Sequence, residues 1–349
     1  MLLQENFSEK HIRRLQNDSK RDPSLLERAV YAFGLLEAVT RVGMPFIFKG
    51  GTCLMLLLEH PQRLSTDIDI IVEPGTDVDN YIAKASEIFP FVSVEEQSRV
   101  GKNKIEKRHF KFTYDSPING KPFYILLDVL FENNNYASLE EREIRNELLL
   151  TAPEYLKVKV PSVDCILGDK LTAFAPHTTG IPLNAGKDME VMKQMYDVCS
   201  LLEAFSDLEA VSDTYYKVAA SEISYRGSSI QPQDALADTY YAALCIASRG
   251  KVNSEEYPLY VKGIRDLRSH IYAENYSPEV AAVRAAKVMY FVACVMNDAK
   301  FEQVYDFTPY LTKRFTRPDM TSLKYLRKAS PEAYAYAIKA DELMGQIIL

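Results

Sequence analysis

The stretch Phe48-Lys49-Gly50-Gly51-Thr52, followed by Arg63-Leu64-Ser65-Thr66-Asp67-Ile68-Asp69-Ile70-Ile71-Val72, decides the fold of this chain. A Gly-Gly turn opens an apolar helix pattern, and a strand pattern that begins with two carboxylates follows the helix. Successive side chains of a strand point to opposite faces, so Asp67 and Asp69 share one face while the isoleucines beside them point to the core. The sequence therefore predicts a turn, a helix and a strand with paired carboxylates at its start.

The residue types in this stretch suit phosphate and metal chemistry. Two carboxylates on one face repel each other unless a cation lies between them. Carboxylate oxygens suit Mg²⁺, which typically takes one or two protein carboxylates plus substrate phosphates. The backbone N–H groups of Gly50, Gly51 and Thr52, at a helix N-terminus, are suited to bind an anion. A phosphate-binding turn beside Asp67 and Asp69 is the smallest set of groups that nucleotidyl transfer requires.

The arrangement resembles the nucleotidyltransferase superfamily, whose signature is Gly-Gly or Gly-Ser, a helix, and Asp-x-Asp on the next strand. The fuller strings Lys49-Gly50-Gly51-Thr52-x-Leu54 and Arg63-x-Ser65-x-Asp67-x-Asp69 are similar to the AbiEii/AbiGii-type toxins of toxin–antitoxin systems. This resemblance implies a Mg²⁺-dependent enzyme with an NTP as substrate and an RNA 3′ end, above all that of tRNA, as acceptor. It also implies nucleotide contacts by Lys49 and Ser65, a cognate antitoxin as partner, and a role in phage defence.

Asp128 is the candidate third carboxylate. It is the only charged residue between Phe123 and Phe131, an apolar run typical of a central strand. A buried acid needs a partner or a metal, so Asp128 is a candidate metal ligand beside Asp67 and Asp69. The alternative is a strand residue near a sheet edge, paired with a surface lysine.

Two later segments extend the resemblance to the toxin branch. Asp169-Lys170-Leu171-x-Ala173 lies in a helix that Ser162 opens, and the resemblance implies that Lys170 is catalytic, as a cation that neutralises triphosphate charge. The alternative is a solvated helix lysine beside an acidic neighbour.

The segment 187–198 matches the branch at Lys193, Tyr196 and Asp197, but Gln194 stands where the family usually has Asp. The resemblance implies a catalytic acid at Asp197 and a nucleotide-facing Lys193. The alternative is an exposed i,i+4 salt bridge between these two residues, worth a few tenths of a kcal/mol.

Helix and strand patterns alternate in the first half of the chain, and the rest is helical. Predicted elements are helices at 24–41, 52–59 and 77–88 and strands at 45–48, 67–72, 91–100, 107–114 and 123–131, with a turn at 101–103. We expect an α+β fold: a nucleotidyltransferase-like mixed β-sheet with flanking helices in residues 1–160, and a helical domain in residues 161–349 that contributes to the active site.

Composition limits the class of protein. A net charge of −7 argues against a protein that coats nucleic acid through bulk charge, but it leaves room for a local basic patch. Five scattered cysteines fit reduced, buried thiols, and no stretch approaches the roughly 20 apolar residues of a membrane span. We expect a cytoplasmic protein without membrane contact.

Two other functions stay open at this point. An enzyme of the same fold could modify a small molecule or a protein hydroxyl. A catalytically inactive relic could serve as an interaction module, although unused clustered carboxylates would reduce stability.

Overall fold

The computed structural model describes residues 1–97 and 106–345, so the predicted turn at 101–103 and the last three residues of the predicted strand at 91–100 lie outside the described residues. The chain divides into two compact units. The first consists of Met1–Ser162 with Ser269–Glu274, and the second of Val163–Arg268 with Asn275–Leu349.

The first unit combines helices and strands. Its helices are a 3₁₀ turn at Gln4–Phe7, α1 (Glu9–Ser19), α2 (Pro23–Arg41), α3 (Gly50–Leu57) and α4 (Asp79–Ser86). Its strands are β1 (Ile47–Lys49), β2 (Asp67–Val72), β3 (Phe91–Gln97), β4 (Lys107–Asp115), β5 (Pro122–Phe131), β6 (Leu139–Glu143) and β7 (Lys157–Pro161).

The described residues of the first unit form a five-stranded sheet in the order β1-β2-β5-β4-β3 and a two-stranded sheet of β6 and β7. In the larger sheet β2 and β5 are parallel, while the other neighbours are antiparallel. The predicted mixed sheet with flanking helices is confirmed. Helix α1 and strands β6 and β7 were not predicted, because their apolar periodicity is short or weak.

Helix α2 covers the apolar face of the sheet. The Asp22 side chain accepts hydrogen bonds from the backbone N–H groups of the first turn, and a proline follows at the first helical position. The Tyr31 ring stacks on the Tyr114 ring with centroids 3.8 Å apart. The buried Glu27 carboxylate accepts hydrogen bonds of 2.9 Å from Tyr114 Oη and 2.8 Å from Ser116 Oγ. These bonds satisfy a buried charge that would otherwise destabilise the packing.

A late segment of the chain returns to the first unit beside the loop that leads into β2. The backbone N–H of Leu64 donates a 2.7 Å hydrogen bond to the carbonyl of His270, and Arg63 forms an antiparallel bridge with Ile271. Ile271 is fully buried. The loop before the paired aspartates is therefore held by residues that lie far away in sequence.

All regular secondary structure in the described residues of the second unit is helical, as predicted. Its helices are α5 (Val163–Ala173), α6 (Asp188–Leu201), α7 (Leu208–Arg226), α8 (Pro232–Ala247), α9 (Tyr257–Leu267), α10 (Pro278–Asn297), α11 (Leu326–Ala329) and α12 (Pro331–Met344), with 3₁₀ turns at Thr308–Thr312 and Asp319–Tyr325. Serine caps begin two of the longer helices: the side chains of Ser277 and Ser330 accept backbone N–H groups of α10 and α12.

Candidate functional site

Each glycine of the Gly-Gly turn leaves room for a side chain of the second motif. Gly50 has a φ of +79°, which favours glycine, and a Cβ at this position would overlap the Asp69 carboxylate. A Cβ on Gly51 would lie 2.5 Å from Arg63 Nη2 and 2.8 Å from Ser65 Oγ. The two motifs therefore depend on each other, since only glycine allows the start of α3 to lie against these side chains.

Thr52 joins α3 to the acidic strand from inside the unit. Its side chain is fully buried, and its hydroxyl donates a 2.6 Å hydrogen bond to the carbonyl of Asp67. Because that hydroxyl already donates within the protein, the predicted nucleotide contact of Thr52 falls on its backbone N–H, as for the two glycines.

Asp67 and Asp69 alternate with the buried Ile68 and Ile70 along β2, as the sequence pattern predicts. Asp67 Oδ1 lies 3.5 Å from Nη2 of Arg28 on α2, and 43% of the Asp67 side chain is exposed. The guanidinium offsets part of the negative charge at the start of this strand. The carboxylates thus remain within reach of solvent, as an ion or substrate site requires.

A row of polar side chains crosses the five-stranded sheet on the face that carries Asp69. Strand register places Lys49 opposite Asp69, Asp69 beside Asp128, Asp128 opposite His109, and His109 opposite Gln97. Paired residues on neighbouring strands share a face of the sheet. Two adjacent carboxylates are therefore flanked by a lysine on one side and a histidine on the other.

The sheet-edge alternative for Asp128 is wrong. Asp128 lies on β5, the central strand of this sheet, and its partner is a histidine, not a surface lysine. His109 Nδ1 lies 2.7 Å from Asp128 Oδ1. The register brings Asp128 next to Asp69, which keeps it a candidate third carboxylate.

Lys170 and Asp197 meet inside the helical unit. Lys170 Nζ lies 3.0 Å from Asp197 Oδ2 and donates a 3.1 Å hydrogen bond to Gln194 Oε1. Lys170 is 8% exposed and Asp197 is 1% exposed. The alternative of a solvated helix lysine is therefore wrong, and Gln194, which departs from the family pattern, serves as a neutral acceptor for the ammonium.

Lys193 has an acidic neighbour that the salt-bridge alternative does not name. Its Nζ lies 3.8 Å from Glu190 Oε1, one turn earlier on α6, and its side chain is 20% exposed. The acid of that alternative, Asp197, is buried against Lys170. An exposed i,i+4 pair therefore does not describe this helix face.

The carboxylates fit a metal that also takes ligands from its substrate. Within residues 1–97 and 106–345, no three His, Cys, Asp or Glu side chains converge into a group that could hold a metal ion. Mg²⁺ commonly binds through one or two carboxylates, with waters and substrate phosphates as its other ligands. Asp67 and Asp69 on one face, beside a turn suited to phosphate, fit this mode better than an all-protein cage.

A cavity of about 500 Å³ in the first unit lies away from these groups. Its lining includes Ile71, Val72 and Glu132, at the far end of β2, and none of the predicted site residues. We assign the site to the carboxylate row and not to this cavity, because the cavity lacks the converging glycine turn and paired acids.

Three contacting residues were not predicted as site residues: Arg28, His109 and Gln194. Glu27 and Arg28 interrupt the apolar stretch at 25–36 of the α2 pattern, and charged residues at such positions usually have a partner. His109 alternates with buried aromatics on β4, which places it on the polar face but does not reveal Asp128 as its neighbour.

Among the described helices, none is long and apolar enough to cross a membrane.

Comparison with known proteins identifies the family. A family model described as "Nucleotidyl transferase AbiEii toxin, Type IV TA system" matches residues 35–282, more than half of the chain. No curated protein matches the chain.

Solved structures give weaker similarities. The crystal structure of JHP933 from Helicobacter pylori has 11% identity and a TM-score of 0.44, with 78% of this chain and 93% of that chain covered. An antigenic nucleotidyltransferase-like protein from Paracoccidioides brasiliensis has 16% identity and a TM-score of 0.36, with coverage of 59% and 94%. Similarity at this level does not identify a shared substrate.

The family match, together with the glycine turn and the acidic strand, shows that the chain belongs to the AbiEii nucleotidyltransferase toxins of type IV toxin–antitoxin systems. Members of this family are enzymes that use an NTP and have a cognate antitoxin.

Proposed function

We propose that this enzyme transfers a nucleotide from an NTP to the 3′ end of an RNA, specifically a tRNA, in a reaction that requires Mg²⁺. The observation that carries the proposal is the close fit between the Gly50-Gly51 turn and the strand of Asp67 and Asp69. This fit combines backbone donors for phosphate oxygens with carboxylates for a metal in one small region. The proposed setting is the cytoplasm, where NTP and tRNA are both available, and the proposed biological role is phage defence.

In this proposal the first unit binds and orients the triphosphate. The backbone N–H groups of Gly50, Gly51 and Thr52 would donate to phosphate oxygens, and Lys49 and Ser65 would add side-chain contacts to the nucleotide. Asp67 and Asp69 would hold the metal together with phosphate oxygens of the NTP, and Asp128, which lies beside Asp69, would join them once the nucleotide is bound. Bound Mg²⁺ would supply charge neutralisation at the phosphates.

The helical unit is proposed to supply further groups for the same reaction. Lys170 would add a positive charge that interacts with the phosphates as their charge develops, and Asp197 would hold its ammonium in position. Lys193 would contact the nucleotide. The support for these roles is the direct contact between Lys170 and Asp197, which holds the ammonium at a defined position inside the helical unit.

Radiolabel transfer tests the reaction directly. The wild-type enzyme is incubated with each α-labelled NTP, Mg²⁺ and total tRNA, and the products are separated into RNA, protein and small molecules. We expect label in RNA with one or more NTPs. Label in protein or in a small molecule would replace the RNA acceptor with the corresponding hydroxyl, and no label anywhere would support an inactive interaction module.

Matched variants identify the carboxylate requirement. Asp69→Asn removes a charge from the proposed site, whereas Asp115→Asn makes the same change at an exposed position at the end of β4 in the same sheet. We expect Asp69→Asn to abolish transfer and Asp115→Asn to leave it near the wild-type rate. Equal activity of both variants would overturn the proposed site.

A further inference from the structure

His109 contacts the third carboxylate of the polar row. His109 Nδ1 lies 2.7 Å from Asp128 Oδ1, and the two residues are direct cross-strand partners on β4 and β5. The His109 side chain is 15% exposed and that of Asp128 is 33% exposed. The histidine is thus largely enclosed, while the acid it contacts remains open to an ion or substrate.

The direction of this hydrogen bond follows from the chemistry of its two groups. An ionised carboxylate can only accept, so Nδ1 of His109 is the donor. Within residues 1–97 and 106–345, His109 is the only hydrogen-bond or ion-pair partner of the Asp128 side chain. One carboxylate oxygen is therefore held by the protein, and Oδ2 has no protein partner among the described residues.

The neighbours of Asp128 explain why it needs such a partner. On its other side, the parallel register places Asp69 directly beside it. Adjacent carboxylates on one face of a sheet repel each other, which favours rotation of either side chain away from its neighbour. A short bond from His109 on the opposite side restrains that rotation.

We propose that His109 is a positioning residue that holds the Asp128 carboxylate in place for the metal of the nucleotidyl-transfer site. The inference rests on the proposed function, since it assumes that Asp128 joins Asp67 and Asp69 at the metal when the nucleotide is bound. Hydrogen-bonding partners of metal-binding carboxylates orient those ligands, and their loss typically weakens metal affinity or activity about 10–100-fold. His109 itself contacts neither metal nor substrate in this role.

The test compares His109→Ala with His109→Asn and with a matched control. The Asn side chain can place an N–H donor at about the position of Nδ1, so it keeps the hydrogen bond to Asp128 without the ring. His60→Ala is the control, because His60 Nδ1 lies 3.1 Å from Glu147 in another histidine–carboxylate pair, but both of these side chains are exposed.

The first readout is the affinity for Mn²⁺ in the presence of NTP, measured by electron paramagnetic resonance. The second is the Mg²⁺ concentration that gives half-maximal transfer. We expect His109→Ala to lower the Mn²⁺ affinity and to raise the required Mg²⁺ concentration, each about 10–100-fold. His109→Asn should recover most of this loss, and His60→Ala should match the wild type. A His109→Ala enzyme with wild-type metal dependence would overturn the inference, as would equal losses in the Ala and Asn variants.

A double-mutant cycle shows whether His109 acts through Asp128. Combined with Asp128→Asn, His109→Ala should add little further loss of Mn²⁺ affinity, because the ligand that it positions is already altered. Fully additive losses would overturn the inference. Melting temperatures without metal separate this effect from unfolding.

Asp69→Asn distinguishes failure of this inference from failure of the proposed function. If Asp69→Asn binds Mn²⁺ as well as the wild type does, the proposed metal site itself is wrong. If Asp69→Asn loses Mn²⁺ binding and His109→Ala keeps it, only the positioning role of His109 is wrong.

Discussion

The Lys170 ammonium lies 3.0 Å from the Asp197 carboxylate in the interior of the helical unit, on helices α5 and α6. The two side chains are 8% and 1% exposed. A buried ion pair needs both partners, since removal of one leaves an uncompensated charge in a medium of low polarity. This relationship makes the pair a stability element as well as a candidate catalytic element.

Removal of Lys170 alone is expected to affect both stability and turnover. Lys170→Ala leaves the Asp197 charge buried, and the free energy of unfolding should fall by about 3–5 kcal/mol. In the transfer assay kcat should fall with little rise in KM, because a cation that follows developing phosphate charge acts mainly in the transition state. Chemical denaturation and steady-state kinetics measure the two effects. Wild-type turnover in this variant would contradict the catalytic role.

An apolar replacement of the whole pair separates those two effects. In Lys170→Met with Asp197→Leu no buried charge is left unpaired, so most of the lost stability should return. Transfer should stay abolished, because the cation is still absent. Recovery of activity together with stability would mean that the pair acts only as a structural element.

Gly50→Ala is expected to disturb the acidic site, and Gly43→Ala provides the matched control. Both glycines have a positive φ, +79° at Gly50 and +74° at Gly43, but a Cβ at Gly43 meets nothing within 4 Å. Gly43→Ala should lower stability by about 1–2 kcal/mol through backbone conformation alone and keep activity. Gly50→Ala should lose more stability and nearly all transfer, because its methyl group would displace the Asp69 carboxylate. Denaturation and transfer assays on both variants check this, and equal behaviour would contradict the fit between the motifs.

Nucleotide binding should stabilise the enzyme in a metal-dependent way. A ligand that binds only the folded state adds about 2.7 kcal/mol at one hundred times its Kd. We expect NTP with Mg²⁺ to raise the melting temperature clearly and NTP with a chelator to raise it much less. Asp67→Asn and Asp69→Asn should lose the metal-dependent part, whereas Asp115→Asn should keep it. An equal shift with and without Mg²⁺ would contradict the proposed metal role of the carboxylates.

His177 is expected to stabilise the helical unit more at low pH than at high pH. Its Nδ1 lies 2.6 Å from Asp238 Oδ1 and its Nε2 lies 2.8 Å from Glu256 Oε1. Burial lowers the pKa of His177, but the bonds and charges of Asp238 and Glu256 outweigh burial, so the pKa is raised overall. The stabilisation is therefore complete below the unfolded pKa of about 6.5 and is lost as the pH rises through the folded pKa. The difference in free energy of unfolding between wild type and His177→Gln should be larger at about pH 6 than at about pH 9.

His11 provides a comparison of opposite sign for the same experiment. Its Nε2 lies 2.9 Å from the carbonyl of Leu148, and burial lowers the pKa of its imidazole. The unfolded chain therefore binds the proton more tightly, and His11 should reduce stability as the pH falls from about 7 to 5. His11→Gln should remove this loss. The two variants should change the pH dependence of the free energy of unfolding in opposite directions. A change in the same direction would contradict the contacts assigned to His177 or those assigned to His11.

The sequence by itself determined the elements whose signal is local. The alternation along Asp67–Val72 identified β2 at its observed bounds, and the apolar periodicity located α2 within one residue of its observed start. The Gly-Gly turn, the paired acids and the change to helical patterns near residue 161 together gave the α+β class and the family. These features could be predicted because strand alternation, helical periodicity and turn chemistry act between residues close in the chain.

Only the tertiary structure decided which distant residues meet. Strand order made Asp128 a neighbour of Asp69 and of His109, helix packing buried Lys170 against Asp197, and residues 269–274 returned to support the loop before β2. None of these contacts has a signal in local periodicity, because each depends on register and packing between segments that are far apart in sequence. The residue types that carry the chemistry are visible in the sequence, but the partners that hold them in position are set by the packed fold.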